Sequence, residues 1–162
     1  MSDGTKSYFR AKRGRILSRK IVALSQELGR GVNILDVGGR RDYWDNVGFD
    51  GIGSITLMNI DPMDLGRDTA RKDVFSDALG DACDLKDTPD GSVDFYHSNS
   101  VIEHVGDWDK MDAMAREARR VSKHGWVQTP AWGFPIEPHF KLPFIHWFGA
   151  PARAGLLSFG KS

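Results

Sequence analysis

Three short stretches set glycine or aspartate directly after an apolar run, where a ligand can reach them. The first is Asp36-Val37-Gly38-Gly39, closing the run that starts at Val32. Glycines carry no Cβ, so a ligand or a following helix can approach this backbone closely; a tight turn alone uses the same pair. The second is Asp61, after ITLMNI at 55–60. A carboxylate there can accept both hydroxyls of a ribose, or close an ordinary Asx turn before Pro62. The third is Gly80-Asp81-Ala82, where an acceptor stands beside a backbone N–H that could read an adenine edge. Each signal is weak singly. Together they point to a nucleoside.

Five histidines offer a base near neutral pH: His97, His104, His124, His139 and His146. His104 follows Glu103 in the turn after an apolar run and is a candidate catalytic group. His97 lies inside that run and reads as packed. His124 closes a helix, where a histidine suits the dipole. Glu137 and His139 fall in PAWGFPIEPHFKLPFIHWF, among Trp132, Phe134, Phe140, Phe144, Trp147 and Phe148. That composition suits a hydrophobic acceptor pocket with two polar groups, or a lid packed on the sheet. Glu137, His139 and His146 have no compact metal-ligand spacing, so no metal is expected.

The elements that must position these residues follow from period and punctuation. Leu17, Ile21, Leu24 and Leu28 repeat at three and four, predicting a helix over 16–28 that Gly29 and Gly31 stop. Val32–Val37 is apolar too continuously for a half-exposed strand and reads as the centre of a covered parallel sheet. A short helix is expected within RRDYWDNVGF, a strand at 55–60, no helix over 62–75, and a weak strand before Gly80. A fourth strand is expected at 92–97 after the turn Pro89-Asp90-Gly91. Asp107 caps a helix with Met111, Met114, Ala115, Ala118 and Val121 on one face, and a fifth strand spans 126–129. Strands alternating with helices give an open doubly wound α/β sheet in the order 3-2-1-4-5, with ligands outside the carboxyl ends of the strands. Residues 1–15 are expected as a flexible arm, 16–130 as the cofactor-binding domain and 131–162 as an aromatic, proline-rich lid or interface.

Lys plus Arg and Asp plus Glu number 22 each in 162 residues, so the net charge is zero. That excludes a nucleic-acid binder held by a basic field. The charge is nonetheless segregated. Residues 1–20 carry seven basic groups and one acid, residues 36–94 fourteen aspartates against six basic groups, and residues 116–162 seven basic against two acidic. Aspartate favours caps and turns, so the middle reads as short elements joined by many turns. The single cysteine, Cys83, suits a reducing compartment. No apolar run approaches a membrane span and the start lacks the apolar centre of a signal peptide. A cytoplasmic protein is expected.

ILDVGG at 34–39, NIDP at 59–62, GDACDL at 80–85, SVDFYHSNSVIEHVGD at 92–107, REARRVSKHG at 116–125 and VQTP at 127–130 together resemble the class I S-adenosylmethionine-dependent methyltransferases, in the branch acting on sugars and small molecules. The resemblance covers roughly residues 16 to 140. It implies a Rossmann-like, mostly parallel sheet and S-adenosylmethionine as cofactor. Asp36, Gly38 and Gly39 would lie along its methionine portion, and Asp61 would take the ribose hydroxyls. Pro62 and Met63 would rest against one adenine face, with Asp81 accepting from N6 and the Ala82 N–H meeting N1. Ser98 and Asn99 would floor the pocket near the sulfonium, where acceptor oxygens suit a positive centre.

The acceptor would be a small molecule methylated on a hydroxyl or amine, with His139, Glu137 and His104 as candidate catalytic residues. One departure is Arg40-Arg41-Asp42, where the family commonly continues with glycines. A cation beside a sulfonium is repelled, so both arginines are expected to point toward solvent or aspartates. A second is the end of the chain, which lacks the usual final strand pair. A homodimer covering the fifth strand is expected. Two other readings stay open: a non-catalytic S-adenosylmethionine-binding partner protein, and an NAD-dependent dehydrogenase or epimerase in which Arg40 and Arg41 neutralise a pyrophosphate.

Overall fold

Every neighbouring strand pair of the sheet is parallel, in the order β3-β2-β1-β4-β5. The computed structural model describes residues 3–61 and 71–129. The elements run α1 (Asp3–Leu28), β1 (Val32–Val37), α2 (Arg41–Trp44), β2 (Ile52–Asn59), a 3₁₀ turn (Lys72–Val74), β3 (Phe75–Leu79), β4 (Phe95–Asn99), α3 (Trp108–Val121) and β5 (Gly125–Gln128). This is the expected doubly wound order. The chain crosses from β3 back past β1 to β4, so the strand order reverses beside β1. In open sheets of this kind ligands bind outside the carboxyl ends of the strands at that reversal, here β1 and β4.

The two faces of β1 divide the core. Ile34 packs on one side with Leu17, Ile21 and Leu24 of α1, Trp44 of α2, Ile55, Leu57 and Phe95. Leu35 and Val37 pack on the other with Met58, Leu85, Tyr96, and Met114 and Val121 of α3. Five of the six residues of β1 are buried, as a strand covered on both faces requires. Asp107 caps α3, its carboxylate accepting from the Lys110 N–H at 3.1 Å. Without that bond the first turn would leave one more donor unpaired.

Some boundaries differ from the sequence expectation. Helix α1 begins at Asp3, so residues 3–15, expected as an arm before the helix, are part of it. Its apolar stripe starts only at Leu17, and a period search finds the packed part of a helix, not a polar extension. Strand β2 begins at Ile52 and β4 at Phe95 instead of residue 92. Asp94, expected within the fourth strand, lies before it. Its carboxylate accepts from both Arg30 terminal nitrogens, at 2.6 and 2.9 Å, and from the Asn33 N–H at 2.8 Å. The segment 131–162 expected as a lid, with the question of a final strand pair, lies outside the described residues.

Candidate active site

The turn after β1 is built from both neighbouring strands. The Gly38 N–H donates to the Met58 carbonyl at 2.8 Å, and the Asn59 side-chain amide donates to the Gly39 carbonyl at 3.0 Å. Gly38 has φ +71°, and a Cβ there would stand 2.2 Å from Val101. A Cβ on Gly39 would fall 2.0 Å from the Asp36 carboxylate. No other residue fits either place. The pair therefore serves close packing of the turn against Val101 and Asp36.

Beneath this turn lies a buried polar chain. Asp36 and His97 are each 1% exposed, on adjacent strands in direct register. The Trp44 indole N–H donates to Asp36 Oδ2 at 2.8 Å, and His97 Nδ1 lies 2.6 Å from Asp36 Oδ1. A carboxylate can only accept, so Nδ1 carries a proton, and in the neutral ring Nε2 is then the acceptor. The Tyr43 hydroxyl stands 3.3 Å from Nε2 and donates to it. Burial, then the Asp36 charge, push the Tyr43 phenol up to about 12, with Arg13 acting the other way. Tyr43 stays protonated.

The other strand ends differ in character. Asp61 is exposed after β2, beside Ile60, which is 80% exposed. Leu79 at the end of β3 is 65% exposed, and Asp81 is exposed two residues on. Asp81 Oδ1 accepts from the Cys83 N–H at 2.8 Å, which fixes its rotamer, while Ala82 is buried. At the end of β4, Ser98 is wholly buried, and neither its hydroxyl nor Asn99 Oδ1 has a hydrogen-bond partner among the described residues. Ser100 follows with φ +61°, a strained value for serine, and its N–H donates to the Gln128 carbonyl at 2.8 Å.

The sequence-predicted residues thus fall into four groups. Gly38, Gly39, Asp61, Asp81, Ser98 and Asn99 stand at the carboxyl ends of β1 to β4. Asp36 lies below them, committed to Trp44 and His97. His104 is exposed in the turn before α3, its N–H donating to the Val101 carbonyl at 2.8 Å. Pro62, Met63, Glu137 and His139 lie outside the described residues. Arg40 and Arg41 turn to aspartates as expected, Arg40 to Asp42 at 3.3 Å and Arg41 to Asp77 at 2.6 Å.

One positioning residue, Asn59, escaped the sequence reading, and so did the partners of a second, His97. Asn59 ends an apolar strand yet is only 7% exposed, and a buried amide must have a partner. His97 inside a continuous buried run carries the same signal. In each case the partner, not the need for one, was hidden.

The family profile described as a methyltransferase domain matches residues 9–150. The chain belongs to that family. With the fold above, it is a class I methyltransferase domain, and its cofactor is S-adenosylmethionine. Among solved structures the domain is similar to WbdD, at 15% identity over 82% of this chain and 32% of that one, with a TM-score of 0.60. It is also similar to an arsenic(III) S-adenosylmethionine methyltransferase from Chlamydomonas reinhardtii, at 26% identity over 57% and 35% of the two chains, with a TM-score of 0.44. The domain therefore spans about a third of the length of each. Comparison with curated proteins gives no match.

The residues present fit the cofactor. The exposed apolar side chains at Ile60 and Leu79 suit a flat ring. Asp61 and Asp81 supply carboxylates at two successive strand ends. The unpartnered oxygens of Ser98 and Asn99 suit a group bringing positive charge.

Proposed function

We propose that this domain transfers the methyl group of S-adenosylmethionine to a hydroxyl or amine of a small molecule. The observation that carries the reading is the row of strand-end groups: Gly38-Gly39, Asp61, Asp81, then Ser98-Asn99. Asp61 accepts the ribose hydroxyls, Asp81 and the Ala82 N–H read the adenine edge, and Pro62 and Met63 lie against its face. Asp36 acts from beneath, holding the glycine turn, while Ser98 and Asn99 face the sulfonium. Bound cofactor supplies an electrophilic methyl carbon for in-line displacement. The domain's own task is to align the acceptor and receive its proton.

Glu137 and His139 follow β5 in the chain, and His104 follows β4, which makes all three candidates for the acceptor side. Residues 131–162 form the lid or interface segment of this reading. The protein is proposed to act in the cytoplasm as a homodimer, the acidic middle of one copy facing a basic end of the other. Sedimentation over a wide concentration range tests the dimer; a single monomeric species throughout contradicts it.

Separate calorimetric titrations with S-adenosylhomocysteine and NAD test the cofactor reading. Binding of the first alone supports it. Binding of NAD alone favours a dehydrogenase or epimerase, and cofactor binding with no turnover of any acceptor favours a non-catalytic partner protein.

A further inference from the structure

The chain Asp36–His97–Tyr43 runs from a fully buried carboxylate to a half-buried tyrosine, and the cofactor reading gives a task to Asp36 but none to His97 or Tyr43. Its members come from β1, β4 and α2, and Tyr43 lies four residues past Gly39 in the chain. Merely filling the core would need no polar atoms there; phenylalanine and leucine would avoid burying a carboxylate. The tautomer is set by Asp36, which leaves Nε2 unprotonated, and Tyr43 fills that acceptor with its own proton. The lone pairs of Tyr43 Oη remain to accept a hydrogen bond from outside the chain. Arg13, near Tyr43, favours negative charge building on the phenol oxygen.

We propose that Tyr43, His97 and Asp36 form a proton path and that the methyl acceptor is an alcohol. The inference rests on the methyltransferase reading and names its substrate class. An alcohol becomes an effective nucleophile only as its proton leaves, whereas a neutral amine already carries a free lone pair. As the acceptor hydroxyl reacts, its proton passes to Tyr43 Oη and the Tyr43 proton passes to His97 Nε2. His97 becomes an imidazolium whose charge Asp36 balances at 2.6 Å. The oxygen lone pair left behind forms the new C–O bond, the C–S bond breaks, and its electron pair stays on sulfur. Reverse passage through Tyr43 to water resets the chain. Tyr43 is then a catalytic residue, with His97 and Asp36 positioning and charging it.

The test compares the full-length chain with Tyr43→Phe, which keeps the ring packed 5.0 Å from His97 and 5.8 Å from Trp44. Calorimetry reads S-adenosylhomocysteine affinity. Release of S-adenosylhomocysteine from S-adenosylmethionine is followed in H₂O and D₂O with paired alcohols and amines on sugar, aryl and alkyl scaffolds. Nitrogen NMR reads the protonation of both His97 ring nitrogens. The expected result is turnover of an alcohol but not its paired amine, a solvent isotope effect, and His97 protonated on Nδ1. Tyr43→Phe should lose ~10²-fold in turnover and the isotope effect, with cofactor affinity unchanged.

A cofactor affinity lost in Tyr43→Phe would make Tyr43 a cofactor-binding residue and overturn the proposal. So would turnover of amines alone, or an isotope effect that survives Tyr43→Phe and disappears in His139→Gln. Tight S-adenosylhomocysteine binding with no alcohol turned over contradicts the proton path while leaving the cofactor reading standing. Failure to bind S-adenosylhomocysteine at all defeats that underlying reading.

Discussion

His97 Nδ1 lies 2.6 Å from Asp36 Oδ1, with both side chains sealed from solvent between β1, β4 and α2. The second carboxylate oxygen takes the Trp44 indole N–H. Replacing Trp44 by Phe keeps an aromatic ring in the core but leaves a charge-bearing acceptor without its donor. That should cost ~1–3 kcal/mol of stability, read as a lower urea midpoint. An unchanged midpoint would mean that the indole bond contributes nothing.

Gly39→Ala is expected to damage the same place sterically. Its Cβ would press on the Asp36 carboxylate, which His97 and Trp44 hold from the other side. A loss of ~1–3 kcal/mol follows from overpacking. A melting temperature equal to the wild type would show that the turn can shift freely.

Asn59→Ala removes the donor that ties the Gly39 carbonyl to β2. The turn should loosen without unfolding the sheet, lowering S-adenosylhomocysteine affinity by about tenfold, the worth of ~1.4 kcal/mol. Circular dichroism checks the fold and calorimetry the affinity. Full affinity in the folded variant would remove Asn59 from the site.

Acid should weaken the domain through two paired carboxylates. The Arg120 guanidinium, bonded to both oxygens of Glu117, holds that carboxyl below its ordinary range; the Leu85 N–H adds to this. Arg30 does the same for Asp94. Both folded values are depressed. Their stabilisation is therefore present above the unfolded values, about 4, and lost as pH falls through the folded ones. Both pairs lie near the surface, so each contribution is modest. Urea midpoints should stay level near neutrality and fall in acid, less steeply in Glu117→Gln. Equal acid slopes in the two proteins would refute the assignment.

The fold was legible because β1 and β2 are apolar runs, the first three strands lead into Gly or Asp, and β1 is buried on both faces as its composition requires. The strand-end groups were legible for the same reason: a run and its last residue sit together in the chain. The polar chain beneath them was not, since His97 meets Asp36 across 61 residues and Tyr43 across 54. The clamp of Arg120 on Glu117, Asp90 and the Leu85 and Thr88 carbonyls was missed alike. In sequence those groups look like a solvated helix face. The polar first half of α1 has no period to reveal it.

Asp61→Ala most directly tests the claim that the strand ends hold S-adenosylmethionine. A bidentate bond from the ribose hydroxyls to a carboxylate is worth roughly 1.5–3 kcal/mol, about tenfold to a hundredfold in Kd. Calorimetry should show S-adenosylhomocysteine binding to the wild-type chain and a loss of that size in the folded variant. Equal affinity in the two, or no binding by the wild type, would contradict the account.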